Sequence, residues 1–273
     1  MINTEAANDF HLVSIRKPGL LSSGNRIETD IINDFRPVTL KELDALALMN
    51  RTDTKYIFRA DRLAEFLERV KSSYRVLEIE ECRVMPYSSI YFDTPDYFLY
   101  RCHHNGVRCR YKVRLRDYLV SDRSFFEIKR KTNKNKTKKK RIEVPFQTGE
   151  ISVDSLDFLD NNSPLGSCTL IRSLENSFSR ITLASFETHE RVTIDLDVKY
   201  RVGSKRLEMD RLIIAEVKRS SSSSVTPVLE ALHDMNIAPG SFSKYCIGIV
   251  SMVEGVKYNN FKPKLRNINK IIA

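Results

Sequence analysis

From residue 108 to 116 polar and apolar positions alternate without a break. Arg108, Arg110, Lys112, Arg114 and Arg116 take every second place, with Cys109, Tyr111, Val113 and Leu115 between them. Alternate side chains of a strand point to opposite faces, so this spacing predicts a strand with five cations on one face and an apolar row on the other. The device recurs. Glu127, Lys129 and Lys131 alternate with Phe126, Ile128 and Arg130; Arg191, Thr193, Asp195 and Asp197 with Val192, Ile194, Leu196 and Val198; Ile214, Glu216 and Lys218 with Ile213, Ala215 and Val217. Strands are predicted over 54–59, 87–93, 106–118, 124–131, 139–146, 178–187, 191–200, 205–218 and 243–252.

Helical spacing marks fewer segments. Thr39 and Glu42 form a capping-box pattern ahead of Leu40, Leu43 and Leu46. After Asp61, Leu63, Phe66, Leu67 and Val70 fall on one helical face. Thr226-Pro227 reads as cap and first position of a late helix carrying Val228, Leu232 and Met235. A shorter helix is expected over 152–159, and the serine run 220–224 reads as a loop. Residues 1 to about 30 lack periodicity and are expected to be a mobile arm or a late edge strand, with order beginning near Pro37.

Like charges side by side repel, so the cationic rows imply an anion. An open sheet with an exposed basic face would suit nucleic acid, and a closed barrel with its polar face inward would make a charged tunnel covered outside by helices. Single-strand binders set aromatics among their basic residues so that bases can stack. The one aromatic of the 108–116 row, Tyr111, points to the apolar side. That favours bare phosphate and argues against nucleic acid. The run KRKTNKNKTKKKR from Lys129 to Arg141 reads as a hairpin that sets cations at one mouth of the barrel. A nuclear-localisation or nucleic-acid patch is the competing reading of that run.

Composition narrows the setting. The 273 residues, 41% hydrophobic, suffice for one large barrel or two small domains. No apolar run is long enough to span a membrane, and the start lacks the basic-then-apolar pattern of an export signal. Five cysteines, odd in number and without CxxC spacing, are expected to be reduced thiols of a cytoplasmic protein. The net charge of +10 again calls for an anionic partner.

Seven short tags occur in order: Arg51-Thr52-Asp53-Thr54-Lys55-Tyr56, Ile90-Tyr91-Phe92-Asp93-Thr94-Pro95-Asp96, Lys112-Val113-Arg114-Leu115-Arg116-Asp117-Tyr118, Phe126-Glu127-Ile128-Lys129, Arg191-Val192-Thr193-Ile194-Asp195, Ala215-Glu216-Val217-Lys218 and Ser241-Phe242-Ser243-Lys244-Tyr245. By these the chain resembles the VTC domain, the polyphosphate-polymerase module of the vacuolar transporter chaperone complex, within the triphosphate tunnel metalloenzyme fold. The resemblance implies an α+β fold with a closed antiparallel β-barrel, a basic interior and flanking helices. It sets residues 1–34 apart as an arm, 35–255 as the tunnel domain and 256–273 as a C-terminal tail.

It also implies roles. Arg114, Arg116, Lys129 and Arg191 are expected to be catalytic. Lys55, Lys112, Arg180, Lys218, Ser243 and Lys244 are expected to bind phosphate. A further cation comes from Lys139 or Lys140, of which Lys140 is assigned to the site. Glu216 and Glu127 are the candidate ligands for Mn²⁺ or Mg²⁺, with salt-bridge neutralisation of a neighbouring lysine as the alternative for each. Asp195 is read as an arginine support; Tyr91, Phe92, Asp93 and Tyr245 as structural; His103, His104 and His189 receive no role. The implied reaction moves the γ-phosphate of ATP, or of another triphosphate, onto inorganic polyphosphate.

Two alternatives stand beside it: a tripolyphosphate or nucleoside triphosphate hydrolase, and a non-catalytic polyphosphate binder. Related hydrolases carry Glu-x-Glu-x-Lys on the first strand, whereas Thr52-Asp53-Thr54-Lys55 keeps only the lysine. A family cation two residues before Ser243 is here Ser241, which predicts weaker product binding. Neither the phosphate-sensing SPX domain nor the membrane helices of the eukaryotic assembly is recognised, so product translocation is not expected.

Overall fold

The computed structural model describes residues 26–46, 51–134, 136–220 and 225–273. In chain order the elements are α1 (Arg26–Asn33), β1 (Arg36–Val38), α2 (Leu40–Ala45), β2 (Arg51–Arg59), α3 (Leu63–Val70), β3 (Arg75–Leu77), β4 (Met85–Asp93), α4 (Phe98–His104), β5 (Arg110–Tyr118), β6 (Arg123–Lys131), β7 (Thr137–Val144), α5 (Val153–Asn162), β8 (Ile171–Ser185), β9 (Glu190–Val202), β10 (Lys205–Met209), β11 (Leu212–Ser220), α6 (Pro227–Asp234), β12 (Pro239–Gly240), α7 (Lys244–Met252) and α8 (Lys262–Ile272). Most of the expected arm and most of the serine run lie outside the described residues, although the end of the arm forms α1.

Local chemistry accounts for the helices that periodicity marks. The Thr39 side chain accepts from the Glu42 amide while the Glu42 carboxylate accepts from the Thr39 amide, so both free donors are satisfied at the start of α2. On α3 the spacing of Leu63, Phe66, Leu67 and Val70 puts all four into the core. The helix after Thr226 is present with Pro227 at its first position, but the Thr226 hydroxyl does not cap it. That hydroxyl lies 3.2 Å from the buried Glu190 carboxylate instead.

The main sheet runs β12-β2-β11-β9-β8-β4-β5-β6-β7 through antiparallel ladders, with β3 joined to β8 and β10 to β9. On one face Phe58, Ile181, Leu183, Val192, Ile194, Ile213, Ala215 and Val217 meet α1, α3 and α6. Further along that face Val113, Leu115, Phe126 and Ile128 meet Leu159 of α5. The predicted alternation is therefore the division between this helix-covered face and a charged one. It breaks in β9, where Asp197 has a φ of 53° at a bulge that turns Val198 and Tyr200 to the charged side.

Three expectations need correction. The segment 243–252 is not a strand but helix α7, and the continuous apolar run Tyr245 to Val250 is the buried-helix case of a pattern that strands share. Residues 205–218 make two strands, β10 and β11, and the strand expected from 106 begins at Arg110, which leaves Arg108 exposed outside it. The segment 256–273, set apart as a C-terminal tail, carries α8, which packs on β2 and β11 with Ile268 buried; that helix leaves the expected division of the chain as it stands.

The sheet is also not closed into a barrel: among the described residues no ladder joins β7 to β12. The physical reasons lie in the two edges and in α7. One edge, Thr137–Val144, carries a run of lysines, and the other is the two-residue Pro239–Gly240. The segment expected to supply the last strand instead lies as a helix across the charged side, packed on β8. Gly248 permits that approach, since a Cβ there would stand 2.6 Å from Leu174 and 2.8 Å from Tyr200.

Candidate functional site

Residues directly opposite in a ladder share a face. Lys55 lies opposite Glu216, Glu216 opposite Thr193, and Lys218 opposite Arg191. Arg180 lies opposite Asp195. Arg114 faces Tyr91 on one side and Glu127 on the other, Lys112 faces Lys129, and Lys129 faces Lys139. Ladder register alone thus gathers most of the sequence-predicted cations from β2, β5, β6, β8, β9 and β11.

Three carboxylates on this face each bridge two cations. Glu127 accepts from Nε and Nη2 of Arg114 at 2.7 and 2.5 Å through Oε2, and its Oε1 pairs with Lys139. Asp195 takes a two-pronged contact from Arg180 at 2.6 and 2.9 Å and pairs with Lys244. Glu216 pairs with Lys55 through one oxygen and with Lys218 at 2.6 Å through the other. Three more cations have no ion pair among the described residues. Lys112 donates to the Ser243 hydroxyl at 2.8 Å, Arg116 donates to Ser89 at 3.1 Å and lies over the Tyr87 and Phe178 rings, and Lys129 stands beside Lys112. The nine cations outnumber the three carboxylates by six.

Crowding shifts their proton equilibria. Burial would raise the Glu127 carboxyl, but Arg114, Arg116 and Lys139 outweigh it and hold the group down at about 2. Burial is likewise overcome at Glu216 by Lys218 and Lys55, and at Asp195 by Arg180 and Lys244, so both lie below the usual carboxylate range. Burial and then the Lys112 charge bring Lys129 down to about 8. Burial does the same to Lys139 and Lys244, each at about 8, against the pull of Glu127 and Asp195 respectively. All three ammonium groups are charged at neutral pH.

Helix α7 presents its first turn to this face. Ser243 caps it, accepting from the Cys246 amide at 3.2 Å, and Lys244 follows directly. Tyr245 stacks on Tyr91 at 5.0 Å and donates to Asp93. Asp93 also accepts from the amides of Thr94, Leu99 and Tyr100, so this buried carboxylate ties α4 to α7. Asp93, Phe92 and Tyr245 are structural here, whereas Tyr91 also meets the site through Arg114 Nη1 at 3.3 Å. A cavity of about 430 Å³ opens beside Ser243, with Lys55, Lys112, Lys129 and Lys131 in its walls.

Not every candidate converges. Lys140 lies opposite Ile128, on the helix-covered side, and bonds Asn162 of α5 at 2.5 Å. Lys139 takes the inward place, a parity that the hairpin register sets and the lysine run alone does not. Arg191 is half-buried and donates to the Leu43 carbonyl at 2.7 Å, which fastens α2. Glu127 and Glu216 belong to separate ion-pair groups, and no group of three His, Cys, Asp or Glu among the described residues is arranged to hold a metal. The acidic donors that exist are of the oxygen type Mn²⁺ and Mg²⁺ take, and such ions are commonly held by one or two carboxylates plus phosphate oxygens. The donor set fits a metal that arrives on phosphates better than one caged by protein alone. Sequence reasoning missed Asp195 as a double acceptor, Ser89 and Tyr91 as arginine partners, and His103 and Lys264 as cavity walls. Only helix packing brings the last two there.

A ladder-built, cation-rich face capped by a helix start defines the site of this α+β domain. The VTC domain family model matches residues 50–163, from β2 to α5, so the resemblance carried by the motifs holds over that stretch. No curated protein sequence matches the chain. Among solved structures, the PH1819 protein of Pyrococcus horikoshii OT3 is similar at 15% identity, covering 73% of this chain and 99% of its own, with a TM-score of 0.40. HpAC1 from Hippeastrum, described as having a dominant triphosphatase activity, is similar at 14% identity over 76% of this chain and 98% of its own, with a TM-score of 0.45.

Proposed function

We propose that this protein is a polyphosphate polymerase-like phosphoryl transferase that moves the γ-phosphate of ATP onto the end of an inorganic polyphosphate chain. The observation that carries the reading is the excess of cations on one sheet face, with two arginines, Arg114 and Arg180, already presented in carboxylate-binding fork geometry. Phosphate oxygens have the same planar match to a guanidinium as the carboxylates now held there.

In this reading Arg114, Arg116 and Arg180 orient the triphosphate, and Lys55, Lys129, Lys139, Lys218 and Lys244 spread its charge. Ser243 offers a hydroxyl and α7 its positive end. A terminal oxygen of the chain forms the new P–O bond, the β–γ bridging bond breaks, and ADP departs with that bridging oxygen. No side-chain nucleophile is needed. A bound Mn²⁺ or Mg²⁺, held by Glu216 with Glu127 as the second candidate, would neutralise charge between neighbouring phosphates. Transfer is favoured over hydrolysis because β2 contributes one acidic side chain, Asp53, and no pair of glutamates that could cage a water-activating metal. The five cysteines are free, which supports a reducing, cytoplasmic setting, and no helix among the described residues is long and apolar enough to cross a membrane.

The test is incubation of the purified protein with ATP and Mn²⁺, with gel staining for chains and a parallel assay for free phosphate. Chains are expected, with yield falling by ~100-fold or more in Arg114→Ala and Glu216→Ala. Free phosphate without chains would assign hydrolysis, and chain binding without either product would assign a non-catalytic polyphosphate binder.

A further inference from the structure

Strand β7 ends the sheet, and among the described residues no strand pairs with its outer side. The direction of its backbone groups follows from the hairpin before it. The Thr132 amide donates to the Lys136 carbonyl at 2.8 Å, and from there the β6–β7 register runs unbroken. Antiparallel pairs alternate between bonded and non-bonded, so the backbones of Lys138, Lys140, Ile142 and Val144 face β6. The amides and carbonyls of Thr137, Lys139, Arg141 and Glu143 point the other way, into the open. Six of the eight residues of β7 are exposed, and β12 at the opposite edge, two residues long, offers them no ladder.

The side chains restrict what can pair there. Lys138, Lys140 and Arg141 enter no ion pair among the described residues: Lys140 bonds Asn162, Arg141 lies over the Phe125 ring at 4.3 Å, and Lys138 is exposed. The hairpin adds exposed Lys134 and Lys136. At the far end Ile142 and Val144 are half-buried against the α5 cluster, and Phe146 beyond them is 36% exposed. A second copy of β7 would offer these cations one carboxylate, Glu143, which Arg123 already holds at 2.7 Å. Lysines on an edge strand thus turn away another copy of the same edge. The same charges favour a strand of opposite sign, because unlike charges directly opposed stabilise a ladder and like charges destabilise it.

We infer that the outer edge of β7 is a docking surface for an extended acidic protein segment, which adds to the sheet as an antiparallel strand. Every ladder along the main sheet is antiparallel, and the added strand continues that order. Its carboxylates meet Lys138, Lys140 and Arg141, and apolar residues nearer its N-terminus meet Ile142 and Val144. Lys139 stays with Glu127. Backbone bonds to Lys139, Arg141 and Glu143 supply affinity, and the side chains on either hand select the partner. The surface goes beyond the phosphoryl-transfer reading and does not depend on it.

The probe is a synthetic peptide blocked at both ends, Val-Lys-Val-Glu-Glu-Glu-Glu, whose lysine falls opposite Glu143 when its valines face Ile142 and Val144. Residue-resolved amide hydrogen exchange on the full chain reads the ladder. The amides of Lys139, Arg141 and Glu143 are expected to exchange freely in the free protein and to slow at least ~10-fold with saturating peptide, while those of Lys138, Lys140 and Ile142 change less. The same peptide N-methylated on the amides that face β7 keeps every charge and loses the ladder, so its affinity should fall at least ~10-fold. Joint Lys138→Glu and Lys140→Glu substitution should weaken the parent peptide roughly tenfold, with thermal unfolding showing the sheet intact. Equal affinity of the two peptides, or binding without slowed exchange at the three amides, would reduce the contact to charge attraction and overturn the inference. Slow exchange of those amides in the free protein at every concentration would assign the edge to this chain's own residues. Slowing that grows with protein concentration would assign it to a second copy. Either result, like failure of the peptide to bind, overturns the acidic partner.

Discussion

Strand β11 carries both personalities of this molecule on alternate residues. Ile213, Ala215 and Val217 are sealed beneath helices, while Glu216 and Lys218 on the other side keep part of their surface open. The helix-covered face is held by apolar burial, worth about 1.5–3 kcal/mol for each large side chain. The charged face is held by ion pairs whose desolvation cost nearly offsets their attraction, so it contributes little net stability and much chemical potential for an anion. Stability and function are thus separated by a single residue step along the strand.

The largest effects should come from removing one member of each face. Phe66→Ala, at a fully buried position beside Phe58, is expected to cost about 3–5 kcal/mol of unfolding free energy and to leave the gain from added tripolyphosphate unchanged. Glu127→Gln is expected to cost about 2–4 kcal/mol, because Arg114 and Lys139 lose their shared partner, but tripolyphosphate should restore more stability to this variant than to wild type. Urea unfolding with and without the anion reads both. Equal rescue of the two variants would erase the distinction between the faces.

A middle-sized effect concerns pH. Lys129, Lys139 and Lys244 have proton affinities lowered to about 8, and the protonated form is the one that binds an anion. Tripolyphosphate affinity should therefore be full near neutrality and decline as pH rises through and beyond 8, by roughly tenfold for each charge lost. Titrations across that range check it, and a flat profile would show that these lysines lie outside the binding surface. The smallest contrast is the sharpest: Lys139→Ala should weaken tripolyphosphate binding about tenfold, and Lys140→Ala less than about twofold, since only the former shares the face of Glu127.

Much of this was legible in one dimension because a strand has a period of two. The row from Arg110 to Arg116, the faces of β6 and β11, and helices α2 and α3 follow from spacing and capping alone. What escaped depended on contacts distant in sequence. Lys139 and Lys140 are distinguished by hairpin register, and the flip after Asp197 by a single left-handed residue. The run through Tyr245, Cys246, Ile247 and Ile249 is apolar on every side because α7 is buried all round, and such a run carries no period to read. Closure of the sheet was expected from the resemblance, and the sheet is open. His103 and Lys264 looked unremarkable in sequence because their chemistry comes from neighbours on β5, β6 and α8.

The three shared carboxylates give the charged face the character of an ion-exchange resin with its counter-ions tethered in place. At the six paired cations a monovalent salt anion meets groups that already have a partner at an effective concentration no solution can match. A chain of phosphates, delivering several charges at once at fixed spacing, can compete with Glu127, Asp195 and Glu216 together. On the function proposed above, this arrangement would discriminate by charge density, favouring a chain of phosphates over chloride and single phosphates.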